Sequence, residues 1–348
     1  MTLSILFYFF IFLLLLGSFY YSIEQLFSYL SIKKVQSHYS ITEPLPKVSV
    51  VVFFDSTYFH SETIEQLLEQ NYANFYDIWV VGKESKDFET NPKIQLFPID
   101  HEYSFNELEI LKTIASMSEG EILCSIHNGN TISSEWLSSM VREFEPGVEI
   151  VKAPIRYTYS PNETIIQKSI ATYKLFLDLS NTSKIIRQKS LFLSSENTGF
   201  LKSFLISNFQ TEFLAAAFNK PGRIQTTNNP NTILEKSNQE KDFFSIKQFL
   251  NTALINTSFL TKTYFIILTF SVFFSFFSFY LLLAIFFTWI LKLGMDFLFI
   301  IRGMKISGTP ISWKSFLLFE LLQAPLITIS SLLSLYRFLR MKKQGSLF

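Results

Sequence analysis

Apolar positions along the chain fall into three regimes. Leu3 to Ser22 contains no charged residue, and its length of about twenty residues at ~1.5 Å each matches the ~30 Å hydrocarbon core of a bilayer. A cleaved signal peptide would carry a positive start, a shorter apolar run and a small-x-small site before Glu24, and this run has none of them. It is expected to be a permanent anchor. The middle of the chain changes period. KVSVVVFF at 47 to 54 is a continuous β-branched and aromatic run, the pattern of a strand covered on both faces. Glu62 to Gln70 has helical spacing, and Asp77 to Val81 and Ile94 to Ile99 read as further strands. Phe105 to Ser118 is expected to be helical, Glu121 to Ile126 a strand, Ser134 to Phe144 a helix carrying Trp136, Leu137, Met140 and Val141, and Glu149 to Ile155 another strand. Strands alternating with helices in this way predict an α/β fold with a largely parallel sheet. The polar run Gln225 to Lys241 reads as a mobile loop. Ligands of such sheets sit at the carboxyl ends of the strands, which are here the ends after Phe54, Val81 and Ile126.

The third regime begins at Tyr264. Up to Ile301 only Lys292 and Asp296 are charged, and the stretch would span about 57 Å as a helix, too long for one upright crossing and tight for two. Two short spans breaking near Leu281 to Ala284 are the preferred reading, with one tilted span ending near Leu291 and an interfacial helix as the alternative. Lys292 and Asp296 lie one helical turn apart and can pair. Phe316 to Leu335, interrupted by Glu320, Gln323 and Pro325, either crosses or dips in and returns. The expected organisation is an anchor over 1–23, a soluble domain over 24–262 and a membrane region of two to three apolar segments over 263–348.

Charge and composition add orientation and exclusions. Lys33 and Lys34 follow the first span, Lys247 and Lys262 precede the second, and the Met1 side has no basic residue, so the positive-inside tendency puts the soluble domain in the cytosol of a multi-pass protein in the inner (cell) membrane. A net charge of +1 over 348 residues argues against a nucleic-acid partner. The single cysteine, Cys124, excludes an intramolecular disulfide and multi-cysteine zinc sites, and lies in a strand pattern as a small buried hydrophobe.

The order of these features is similar to that of the membrane-bound family 2 glycosyltransferases. The stretches that carry the resemblance are KVSVVVFF, LLEQNYANFYDIWVV, GEILCSIHNGNTISSEWLSSM, EIVKAPIRY, ENTGFLKSFL, the KPGRI turn at Lys220 to Ile224, and KLGMDFLFIIRG with FLLFELLQAP near the end. The resemblance implies a GT-A-like fold with helices on both sheet faces and inverting transfer of a sugar from a nucleotide donor to a glycan or lipid acceptor. It also implies Mg²⁺ or Mn²⁺ on the donor diphosphate, a carboxylate base and cationic donors for the leaving group.

Matching the motifs position by position exposes departures. Asp55, after the first strand, stands where an Asn-Glu pair is usual and is the candidate for uracil or ribose. Gly82 and Lys83 replace the nucleotide-binding aspartates, while Ser85 and Asp87 keep a more peripheral Ser-x-Asp. Counting back from Trp136, the two metal-binding aspartates fall on His127 and Gly129, with Asn128 between them and Asn130 beyond. A lone imidazole with neutral amides is a poor site for a hard cation. Glu212 is the candidate base, with Glu196 and Asn197 of ENTG as weaker candidates in the same pocket. Gln248 begins the interfacial Gln-x-x-Arg-Trp motif but lacks its arginine and tryptophan, and Glu107 and Leu108 occupy the place of a usual lysine. These replacements favour a pseudo-glycosyltransferase that binds a second glycosyltransferase, a glycan or a lipid, without a cofactor. The alternative is an active transferase, metal-independent or strongly altered, with Glu212 as base and Asp55 on the nucleotide; Mg²⁺ or Mn²⁺ enters only in that active reading. A transporter component lacks support, because the spans show no repeated polar pattern.

Overall fold

The computed structural model describes residues 2–32, 44–54, 61–82, 91–99, 107–159, 162–187, 196–207, 224–227, 229–237, 259–275 and 278–343. At its centre, β1 (Val48–Phe53) pairs in parallel with β2 (Tyr76–Gly82) on one side and β4 (Ile122–His127) on the other, and β2 pairs in parallel with β3 (Ile94–Pro98). β8 (Thr198–Leu201) joins β4 antiparallel, β6 (Ile150–Lys152) joins β8 antiparallel, and β9 (Ile224–Thr226) lies parallel to β6 at the edge. The result is a mixed seven-stranded sheet in the order β3-β2-β1-β4-β8-β6-β9.

β1 and β2 are buried along their whole length, as their continuous apolar sequence predicts. The two-residue pleat then divides β1 between two cores. Val50 and Val52 pack with Ile64 and Leu67 of α2 (Ser61–Leu68) and with Trp136, Leu137 and Met140 of α4 (Trp136–Arg142). Val51 and Phe53 pack with Leu111 and Ile114 of α3 (Glu107–Met117) and with Phe204 and Leu205 of α6 (Lys202–Ser207). The α/β class expected from the alternating pattern is the one observed.

Three local expectations are corrected. The strand expected over Glu149 to Ile155 is two strands in two sheets, because Pro154 has no N–H to give the ladder. Ala153 N still bonds Asn197 O across the main sheet at 3.0 Å, whereas Pro154 O accepts from Leu234 N at 3.4 Å. Beyond it, β7 (Ile155–Thr158) lies in a small sheet of order β5-β10-β7, with β5 (Asn130–Thr131) and β10 (Leu234–Ser237). The stretch read as a mobile loop thus contains β9, β10 and a 3₁₀ turn at Pro230–Thr232, held because Leu234, Thr226 and Thr232 are buried among the polar residues that hid them.

The third correction concerns the apolar C-terminal part. The chain does not break at Leu281 to Ala284: α7 (Phe259–Phe274) ends earlier, and α8 (Phe279–Ser307) runs unbroken from a Ser278 cap whose hydroxyl accepts from Leu281 N. α9 (Trp313–Lys343) continues through Pro325 without interruption by Glu320 or Gln323, which are buried. Together with α1 (Thr2–Ile32), α8 and α9 supply three helices long and apolar enough to cross a membrane: Phe7–Ile32, Phe279–Ser307 and Trp313–Leu333. α7, at about 24 Å, is shorter than a bilayer core.

α5 (Ile165–Ile186) joins the sheet layer to these helices. Its Tyr173, Phe176 and Leu179 share one core with Tyr21 of α1, Phe299 of α8, and Phe316 and Phe319 of α9. Gly303 of α8 is the contact point, since a Cβ there would lie 2.1 Å from Leu179 Cδ1. Polar bonds line the seam: Arg187 Nη2 to Glu24 Oε2 at 2.5 Å, Ser169 Oγ to Ser315 O at 3.0 Å, and Arg156 Nε to Ser307 O at 2.9 Å.

Candidate functional site

The carboxyl end of β4 carries the residues that the sequence singles out. Asn128 N still bonds Phe53 O at 2.9 Å, so the central ladder extends one residue into the tip. Gly129 then has φ +82°, a region that favours glycine, and this explains why a side chain is missing at that position. Asn130 Nδ2 closes the turn on His127 O at 2.9 Å. Thr63 of α2 clamps it from the side, with its hydroxyl donating to Asn130 O at 2.9 Å and accepting from Gly129 N at 3.1 Å. The tip is thus a turn fixed by Asn130 from within and by Thr63 from α2.

His127 points toward α3. Its Nε2 lies 3.4 Å from Glu107 Oε1, with both side chains about one-third exposed (30% and 34%), and its ring meets Phe53 edge-on at 5.7 Å. Two residues that the sequence analysis singled out, His127 at the end of β4 and Glu107 at the start of α3, therefore meet in space.

A second group of charges lies behind the tip. Glu196 Oε1 accepts from Lys236 Nζ of β10 at 2.7 Å, and Asn130 Nδ2 lies 3.4 Å from the same oxygen. Lys152 of β6 donates to the backbone carbonyl of Glu196 and sits 3.9 Å from Asp178 Oδ1 of α5. Burial alone would push the Glu196 carboxyl upward. The charges of Lys236, His127 and Lys152 and the Lys236 hydrogen bond outweigh it and hold the group well below the usual carboxylate range. For Asp178 burial wins, with Glu196 adding to it, and the carboxyl is raised despite Lys152. Burial works to lower the His127 imidazole, but Glu196 and Glu107 raise it on balance.

These shifts set a pH dependence. A group with a raised pKa in the fold contributes stability that is fully present below its unfolded value, about 6.5 for histidine, and lost as pH rises through the folded value. The stability difference between the native protein and His127→Asn should therefore shrink as pH is raised from 6 to 9, as measured by chemical denaturation. A difference that grows over that range would contradict the arrangement.

Neighbouring Asn197 does not line a pocket. It is buried at φ +51°, accepts from Trp136 Nε1 at 3.1 Å, and donates to Pro154 O and Thr232 O at 2.7 and 3.0 Å. Asp55, Asp87, Glu212 and Gln248 lie outside the described residues. Sequence reasoning missed Lys152, Asp178 and Lys236. A lysine inside the apolar run EIVKAP and an aspartate between Leu177 and Leu179 were usable signals, because charges are rarely buried without partners. Lys236 gave none. Among the described residues no three His, Cys, Asp or Glu side chains converge to hold a metal ion. The tip itself offers one imidazole facing a carboxylate, two amides and a glycine, a donor set that does not fit Mg²⁺ or Mn²⁺.

No family model and no curated protein matches the chain. Among solved structures it is similar to a mannosyltransferase of Pyrobaculum calidifontis in complex with GDP-Man and Mn²⁺, with a TM-score of 0.48 and 14% identity over 92% of this chain and 95% of that one. It is also similar to S. aureus TarS, with a TM-score of 0.35 and 14% identity over 64% of this chain and 42% of that one. For a mycobacterial protein the TM-score is 0.35 at 13% identity, over 60% of this chain and 72% of that one.

Proposed function

We propose that the chain is a membrane-anchored pseudo-glycosyltransferase. In this reading it keeps the sheet and the nucleotide-facing strand ends of a family 2 glycosyltransferase but binds a partner transferase, a glycan or a lipid acceptor rather than transferring sugar. The observation that carries it is the Glu107–His127 pair. A donor diphosphate at this strand end needs a cation held by carboxylates on the tip and positive charge around it. Here the tip bears the imidazole, the facing helix bears the carboxylate, and the lysines behind the tip are engaged by Glu196 and Asp178. The charge pattern is reversed where the anion would rest, and like charges at close range are mutually repulsive. The soluble part faces the cytosol of the inner membrane in this reading, because the basic residues Lys33, Lys34, Lys247 and Lys262 flank the spans on that side.

Calorimetry of the full chain in detergent with uridine and guanosine diphosphate sugars, with and without Mn²⁺, tests this. Affinity no tighter than millimolar is expected. Micromolar, Mn²⁺-dependent binding would sink the proposal. A second reading has its own support, because Lys236 places an ammonium beside Asn130 with its side chain about one-fifth exposed (21%). In that case the cation on β10 serves the diphosphate directly and Glu212 is the base. Micromolar binding without metal that Lys236→Ala abolishes would replace the first reading with this one.

A further inference from the structure

The helices that cross the membrane enclose a charged cluster unrelated to the β4 tip. Lys292 Nζ of α8 lies 2.8 Å from Asp296 Oδ2, one turn along the same helix, and donates to Glu320 Oε2 of α9. From α1, the Tyr21 hydroxyl lies 2.7 and 2.9 Å from the two oxygens of Asp296 and accepts from Gln25 Nε2 at 3.1 Å. Tyr264 of α7 stacks on Tyr21 at 5.6 Å, and Phe265 presents its ring to Lys292 at 5.7 Å. Lys292, Asp296 and Glu320 are essentially sealed from solvent, at 1%, 0% and 1% exposure.

Two deficits follow from counting. Two carboxylates face one ammonium, and Lys292 is the one cation paired with them among the described residues. The cluster with all three groups ionised therefore has a net charge of −1 in a low-dielectric interior, where an uncompensated charge is strongly disfavoured. Hydrogen bonding is incomplete as well: Glu320 Oε1 and Gln25 Oε1 are buried acceptors with no hydrogen-bond partner. The other titratable groups facing the cluster, Tyr21 and Tyr264, are phenols, which add no positive charge in either state.

We propose that this cluster is a proton-binding site, holding one proton on the Asp296–Glu320 carboxyl pair. One proton brings the net charge to zero and adds a donor beside a carboxylate oxygen, Glu320 Oε1, that has no partner. Because Asp296 also receives Tyr21, occupancy of the site governs how the anchor helix α1 is held against α8 and α9. The site therefore couples proton uptake to the packing of the membrane part.

The test is infrared spectroscopy of the full chain in lipid nanodiscs at pH 7, reading the C=O stretch of protonated carboxyl groups in H₂O and D₂O. The expected result is a band that shifts in D₂O, is unaffected by sodium, and disappears in both Glu320→Gln and Asp296→Asn. Each substitution alone leaves one carboxylate to one ammonium and removes the need for the proton. Either variant suffices if the other fails to assemble, and the native band is readable without them. Absence of the band from the native protein would overturn the proposal, as would its persistence in the variants, which would place it on another carboxyl group such as Asp178. Its loss on adding Na⁺ would also overturn the proposal, making the ligand a metal cation.

Discussion

Trp136→Ala is expected to lower the stability of the protein by about 3–5 kcal/mol, the range for truncating a large buried aromatic side chain. Trp136 is fully buried in the core where α4 meets β1, and among the described residues it is the largest side chain sealed from solvent. It also fixes Asn197, whose amide holds Pro154 and Thr232 and so joins both sheets and the 3₁₀ turn. Removing the ring leaves a cavity and also removes the donor to Asn197 Oδ1 in a place that water cannot easily reach. Denaturant titration of the full chain in detergent gives the loss. Trp136→Phe separates the two effects, with an expected cost of about 1–3 kcal/mol from the unsatisfied Asn197 acceptor. A Trp136→Ala loss below about 1 kcal/mol would mean that this side chain does not hold the two sheets together.

Lys292→Ala should have a comparable effect in the membrane part, about 3–5 kcal/mol, because it removes one partner of a buried ionic cluster and leaves Asp296 and Glu320 facing each other. The deficit should shrink as pH is lowered, since further protonation of the stranded carboxyl pair removes its uncompensated charge. Thermal unfolding in nanodiscs across pH 4 to 8 measures both quantities. A pH-independent deficit would show that Lys292 acts through packing of its methylene stem alone.

How much of this was legible in the sequence depends on whether a residue's role is decided locally. The run VSVVVF has one reading, a doubly covered strand, and β1 is one. Trp136, Leu137 and Met140 show their shared face by helical spacing, and α4 buries all three. The split at Pro154 was present as a proline within an apparent strand, a known sign against continuing the ladder. The break before α8 was not legible, because lipid-facing and core-facing positions are both apolar and periodicity carries no signal. What decides it is the Ser278 cap together with tertiary partners for Lys292 and Asp296 that come from α1 and α9. The candidate site divides in the same way. His127 was found by its place in a motif. Its pairing with Glu107 joins positions twenty residues apart, and the Glu196 network draws on β6, β10 and α5. Such convergence is a property of topology and leaves no local pattern.

The packing of α5 has a consequence for how the protein meets its surroundings. Leu179 seated against Gly303, with Arg187 tied to Glu24 and Ser169 to Ser315, packs the described sheet layer directly against the long apolar helices. In the proposed membrane-anchored reading, the strand-end surface is thereby held at one height above the lipid. What it engages would have to arrive at that height, which favours molecules tethered to the same membrane over freely diffusing ones. The same seam means that releasing the α/β layer by cutting away the helices would lay bare Tyr173, Phe176 and Leu179, so the two parts are one unit for handling as well as for geometry.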